Sequence, residues 1–207
     1  MDKKEKKIIH KQESILDAAV QSFIQDGYNN SSMDKIADLA GASKRTVYNY
    51  FKSKEELFKA VLDRLLSEIM ALKQIKYDPK KSLYEQLGDF ADAKVDISKN
   101  PSWLGLMKVT ISVFITNPEL AIETIKQAED AEDTLIAWLN AAKGDGRIKA
   151  ENVELAAEAF WAMMSGAFFW PSIFFEPIND KKADAMKKEL IQIFLAHYSS
   201  DKDIEIL

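Results

Sequence analysis

The chain has no cysteine, and only two histidines, seven glycines and five prolines in 207 residues. Without cysteine there is neither a disulfide framework nor a thiolate metal site, which fits a reducing compartment. The two histidines, His10 and His197, stand near opposite ends of the chain, and no HExxH, GxSxG or phosphate-cradling glycine loop occurs. No catalytic residue, no metal ligand and no cofactor is therefore expected, and the chain does not read as an enzyme. Long uniform apolar runs are lacking too. The longest, AFWAMMSGAFFWPSIFF at 159–175, spans 17 residues and contains Ser165, Gly166, Pro171 and Ser172. A membrane span needs about 20 residues of more even apolarity, so this stretch reads as a buried helix. The opening MDKKEKKIIHKQES is charged, without the apolar core of a secretory signal. A soluble, cytoplasmic protein is the expectation.

What is present is an ordinary globular composition, 47% hydrophobic and 29% charged. The net charge of −5 is unevenly spread: residues 1–60 hold eleven Lys/Arg against nine Asp/Glu, and the rest is acidic. An acidic protein still binds a polyanion if its cations share one face. The run Lys3-Lys4-Glu5-Lys6-Lys7 with Lys11 reads first as a solvated tail, interrupted by Asp2 and Glu5. A second reading is an arm for a minor groove. Glu129-Asp130 with Glu132-Asp133 reads as a solvated helix face rather than a metal site.

Helical periodicity dominates the chain. Ile15, Leu16, Ala19, Val20, Phe23 and Ile24 recur at helical spacing and stop at Gly27, a natural residue just past a helix end. Ser31 with Asp34 suggests a capping box for a short helix ending at Gly41. Ser43 caps a third helix, and Ser53 with Glu56 starts a long fourth one running to Asp78-Pro79. Five more follow: Ser82 to Ser98, Trp103 to Thr116, Glu119 to Ala142, Asn152 to Phe175 and Ala183 to Tyr198. Turn signals at Asn100-Pro101, Asn117-Pro118, Gly144-Asp145-Gly146 and Pro177 to Asp180 separate them. The fold class is all-α: an N-terminal helix-turn-helix domain (1–52), a connecting helix (53–77) and a C-terminal helical bundle (78–207).

The third helix carries the distinctive chemistry. On a helical wheel Val47 and Phe51 point inward, while Arg45, Tyr48, Asn49 and Lys52 lie opposite. Thr46 is at the edge of that face, with Lys44 and Tyr50 at its flanks. Arginine, asparagine, threonine and tyrosine side chains are those that bond base edges and phosphates. A short helix joined to it through Gly41-Ala42-Ser43 describes a helix-turn-helix, whose second helix enters the major groove. The same pattern also occurs in helical bundles that bind no nucleic acid.

"YNNSSMDKIADLAGASKRTVYNYFKSKEELFKAVL", residues 28–62, resembles the N-terminal domain of the tetracycline-repressor (TetR/AcrR) family of bacterial transcription regulators. "NPELAIETI" and "LIAWLNAAKGDGRI" look like members with an AefR-type C-terminal domain. The resemblance implies roles for particular residues. Ser32 and Ser43 would offer hydroxyls and helix N-terminal amides to phosphates, and Lys44, Arg45 and Thr46 would face base edges. Tyr48 and Tyr50 would touch backbone and bases, Asn49 would contribute specificity, and Lys54 would grip a phosphate. Met33 stands where some members carry a base-contacting arginine, which weakens any base contact from the second helix.

Family members are homodimers joined through their last two helices. The corresponding surface here would include Ala159, Ala162, Met163, Gly166, Met186, Leu190, Ile193 and Phe194. A hydrophobic small-molecule effector would be held by Trp103, Met107, Thr110, Phe114, Trp138, Trp161, Met164 and Phe168, although each also reads as plain core. The expected partners are thus a double-stranded operator, an apolar effector and a second copy. On this reading the effector tilts the helix from Ser53 to Leu72 and moves the reading helices off the groove spacing. Two other readings stay open: a regulator controlled by a protein partner, and a small-molecule binder with an inert helix-turn-helix.

Overall fold

The structure, a computed structural model, describes residues 3–71, 75–122, 134–176 and 178–200, with backbone alone for 3–7 and 65–71. The fold is all-α; among the described residues the single departure is an isolated antiparallel bridge between Ile148 and Ser199. The contacts gather residues 1–70 and 105–125 into one compact unit, and 71–104 with 126–207 into another. The sequence reading had assigned every residue after 77 to the second domain.

In the first unit, α1 (Lys3–Asp26), α2 (Met33–Leu39), α3 (Lys44–Tyr50) and α4 (Lys54–Ala71) follow one another. The stripe on α1 buries Ile15, Leu16, Ala19 and Phe23. Phe23, Tyr28 and Phe58 pack with ring centroids 4.9–5.6 Å apart, joining α1 to α4. Ile24, expected on the buried face, is 38% exposed. Its side chain lies against Gly105, where an added Cβ would come within 3.1 Å of it.

Two caps differ from the expected boxes. Ser31 is buried, its hydroxyl donating to the Gly27 carbonyl at 2.9 Å, so Ser32 caps α2 instead by accepting from the Lys35 N–H. Ser53 does cap α4 through the Glu56 N–H, but the Glu56 carboxylate accepts the Lys52 N–H, one residue earlier than the box requires. The connecting helix is also shorter than expected. It reaches Ala71, and residues 75–78 are not helical. Pro79 disfavours helical backbone at Asp78, and the Gln86 amide bonds both the N–H and the carbonyl of Asp78.

In the second unit, α5 (Leu83–Lys99) packs on α11 (Asp180–Tyr198) and α8 (Thr134–Gly144) on α9 (Val153–Met164). Ser82 and Glu85 form a complete capping box at α5. Trp138 is almost fully buried and donates its indole N–H to Gln86 at 3.0 Å. The expected helix from Asn152 to Phe175 is interrupted. After α9 comes a π-helical turn, Ser165–Phe169, before α10 (Trp170–Phe174). The helix α6 (Pro101–Thr116) begins from an Asn100 cap. The helix expected from Glu119 to Ala142 is described only as α7 (118–122) and as α8; Glu129 to Asp133 lie outside the described residues. Among the described residues no helix is long and apolar enough to cross a membrane.

Candidate nucleic-acid interface

The helix α3 is held by its ends and its inner face. Ser43 caps it by accepting the Thr46 N–H at 3.1 Å, and the two hydroxyls meet at 2.7 Å. Val47 is fully buried and Phe51 is 4% exposed. Gly41, at φ 55°, turns the chain from α2 into α3 through a left-handed conformation that side chains with a Cβ resist. The two helices pack directly on each other. Lys11, read in the sequence as part of a basic tail, instead donates to the Ala40 and Gly41 carbonyls at the end of α2. A cation there complements the negative end of the helix.

The outward face matches the helical wheel. Ser32, Ser43, Lys44, Arg45, Tyr48 and Asn49 are exposed, and Thr46 and Tyr50 are half-buried. Their partners divide them. Lys44 is paired with Asp34 of α2, whose carboxylate holds the lysine pKa above its ordinary value. The Tyr50 hydroxyl reaches the Ile8 carbonyl at 3.4 Å. The side chains of Arg45, Tyr48 and Asn49 have no hydrogen bond or ion pair among the described residues and stand in solvent. Asp34 as a partner of Lys44 was missed in the sequence, where the aspartate had been assigned to a cap.

Lys54 is placed differently from the expectation. Its ammonium donates to the carbonyls of Tyr28, Ser31 and Asn29 at 2.8, 3.1 and 3.3 Å. It also lies 4.4 Å from the centre of the Tyr28 ring. An ammonium has three protons, and here each has a carbonyl. The residue therefore ties the start of α4 to the turn leading into α2. Beside it, burial and the Glu55 carboxylate push the Tyr28 hydroxyl up to about 12.

The expected effector residues are divided between the two units. Met107, Thr110 and Phe114 fall in the first unit; Trp103, Trp138, Trp161, Met164 and Phe168 fall in the second. Trp138 and Trp161 share Phe90, at 6.1 and 6.2 Å, while Trp103 packs edge-on to Phe169 at 5.5 Å. Of the expected dimer residues, Ala162, Gly166 and Ile193 are exposed, and Ala159, Met163, Met186 and Leu190 are half-buried. Phe194 is only 1% exposed, its ring packed on Phe160 and Tyr198 within its own chain. It belongs to the core and is withdrawn from the interface: the α11 stripe facing α5 and α9 had been read as facing outward.

A capped recognition helix, turned by a left-handed glycine and offering free polar groups, defines a helix-turn-helix regulator domain. Residues 15–61 match the family described as bacterial regulatory proteins of the tetR family. Residues 85–200 match the AefR-like transcriptional repressor C-terminal domain. The chain belongs to the TetR family of transcriptional regulators. It is 34% identical to a TetR-family regulator from Pseudomonas syringae of known crystal structure, with a TM-score of 0.77 over 90% of this chain and 96% of that one. It is 31% identical over 148 residues to the regulator RutR of Escherichia coli K12, covering 68% of each chain. It is also 29% identical over 139 residues to the HTH-type regulator YhgD of Bacillus subtilis, covering 67% of this chain and 70% of that one.

Proposed function

We propose that the protein is an effector-responsive repressor in the cytoplasm, binding a pseudo-palindromic operator as a homodimer. The observation that carries this reading is the face of α3. Arg45, Tyr48 and Asn49 are held on a buried anchor, exposed, and without a hydrogen-bond or ion-pair partner among the described residues. Such groups cost nothing to withdraw from intramolecular bonds when a base edge replaces water. Ser32 and Ser43 present capping hydroxyls beside them, toward phosphate, and Thr46 lies at the edge. Lys44 reaches DNA by exchanging Asp34 for a phosphate, and Lys54 acts as a positioning residue through the turn at 28–31.

Repression is supported by the repressor description of the matching C-terminal domain. Dimerisation is supported by exposed apolar and small residues on the last helices. Leu155, Ile193 and Trp170 are 57, 50 and 45% exposed, with Ala162 and Gly166 between them. Two copies would set their reading helices about 34 Å apart, one turn of DNA. Effector binding would shift the population toward a dimer with another spacing. Selection from random duplexes followed by gel-shift tests the reading. A symmetric site bound by wild type and lost on replacing Arg45, Tyr48 and Asn49 together by alanine is the expected result. Equal binding of all duplexes would sink it.

A further inference from the structure

The apolar stripe of α5 contains a residue that does not fit it. Leu87, Ala91, Lys94 and Ser98 follow at helical spacing, and Leu87, Ala91 and Ser98 are buried. Lys94 stands on the same face and is half-buried. Burial lowers the pKa of its ammonium, with no carboxylate opposing the shift. Among the described residues it has neither an ion pair nor a hydrogen bond. Its one noted contact is the Phe169 ring, whose centre lies 5.4 Å from the nitrogen.

Two more donors without acceptors accompany it. The Trp103 indole N–H and the Ser98 hydroxyl are buried and unpartnered, two of the four such side-chain atoms among the described residues. Trp103 packs on the same Phe169 ring as Lys94, and Ser98 lies one helical turn along α5 from Lys94. Buried polar groups are ordinarily bonded, and an unpaired buried charge is costlier still. One such group is a local defect. Two donors on one ring, the Lys94 ammonium and the Trp103 indole N–H, with no acceptor from the described residues, describe a site open to an acceptor from outside the chain.

The geometry points to a binding site for the carboxylate of an apolar acid, formed by Lys94 and Trp103 against Phe169. A carboxylate brings one negative charge and acceptor positions for both donors, matching the single cation. A phosphate monoester brings a charge of about −1.5 to −2 at pH 7, which one ammonium does not balance. The aromatic rings beside the donors would cover the apolar part of the acid. This inference rests on the effector-responsive reading and gives the effector its chemical class.

The test is calorimetric titration of the intact protein with straight-chain carboxylates of increasing length, benzoate and phenylacetate. Each is paired with its alcohol, and octyl phosphate is included. The expected result is at least one acid binding about tenfold or more tighter than its alcohol and than octyl phosphate. Lys94→Met should abolish that preference while leaving alcohol binding within about twofold, and Trp103→Phe should reduce it. Because Lys94→Met removes a half-buried charge that no described residue pairs, it should melt at a higher temperature than wild type, so misfolding would not account for the loss. Equal affinity for acid and alcohol, an unchanged preference in Lys94→Met, or no acid bound would each overturn the inference. If alcohols alone bind and release operator, the carboxylate site is wrong and the effector-responsive reading stands. If acids bind as described but leave an operator complex intact, the site stands and the effector-responsive reading fails.

Discussion

Arg45 and Lys54 each carry one positive charge in the DNA-binding unit, and their surroundings give them different tasks. Arg45 projects from α3 with no partner among the described residues, so its bonds are available to a base edge. Arg45→Ala should relax discrimination at particular base pairs of a selected operator by about 1–3 kcal/mol each, read by competition among single-substitution duplexes. Lys54 already has three carbonyl acceptors. Hydrogen bonds to a charged group are worth roughly 1.5–3 kcal/mol, and part of that is recovered by water at this half-buried site. Lys54→Ala should therefore lower stability by roughly 1–2 kcal/mol and weaken all duplexes alike, with an unchanged dependence on salt. A phosphate contact predicts otherwise: the slope of log affinity against log salt would fall by about 0.9. A slope reduced by that amount would return Lys54 to the gripping residues.

At the scale of elements, the turn between α2 and α3 is the sensitive point. Gly41 adopts φ 55°, and an added Cβ would meet nothing within 4 Å. The cost of a side chain there is conformational alone, about 1–2 kcal/mol for alanine and less for asparagine, which tolerates the left-handed region. Chemical denaturation of Gly41→Ala and Gly41→Asn should show that order; equal losses would mean crowding instead. The glycine turn, the Ser43 cap and the inward Val47 and Phe51 were all legible in the sequence because they follow local rules. The π turn at Ser165–Phe169 was not. It inserts extra backbone into a helix whose residues keep an apolar period, so both Phe168 and Phe169 are buried while Trp170 turns out to 45% exposure. Read as one buried helix, the stretch 159–175 left no place for an outward Trp170.

For the whole molecule, the proposed dimer commits to a particular outer surface. Gly166 is exposed, and an added Cβ there would meet nothing within 4 Å. Gly166→Leu should thus leave the isolated fold intact, and Ile193→Glu replaces a residue that is 50% exposed. If α9 and α11 form the dimer surface, both variants should sediment as monomers, keep their helical circular dichroism and lose operator affinity. Dimers of wild-type affinity in both variants would place the interface elsewhere.

The sequence by itself determined the helical class, the helix-turn-helix and the exposed face of α3, because apolar period, capping serines and glycine turns act over a few residues. Contacts between distant residues decided the rest. Lys54 reads as a surface cation until the turn at 28–31 supplies its carbonyls. Asp34 reads as a cap until Lys44 meets it. Phe194 reads as an interface residue until Phe160 and Tyr198 cover it within the chain. Lys94 is one more charge in the sequence; only packing shows that it is half-buried on the ring that the unpartnered Trp103 indole also meets. A side chain's role depends on which atoms meet it, and for these residues the partners come from other parts of the chain.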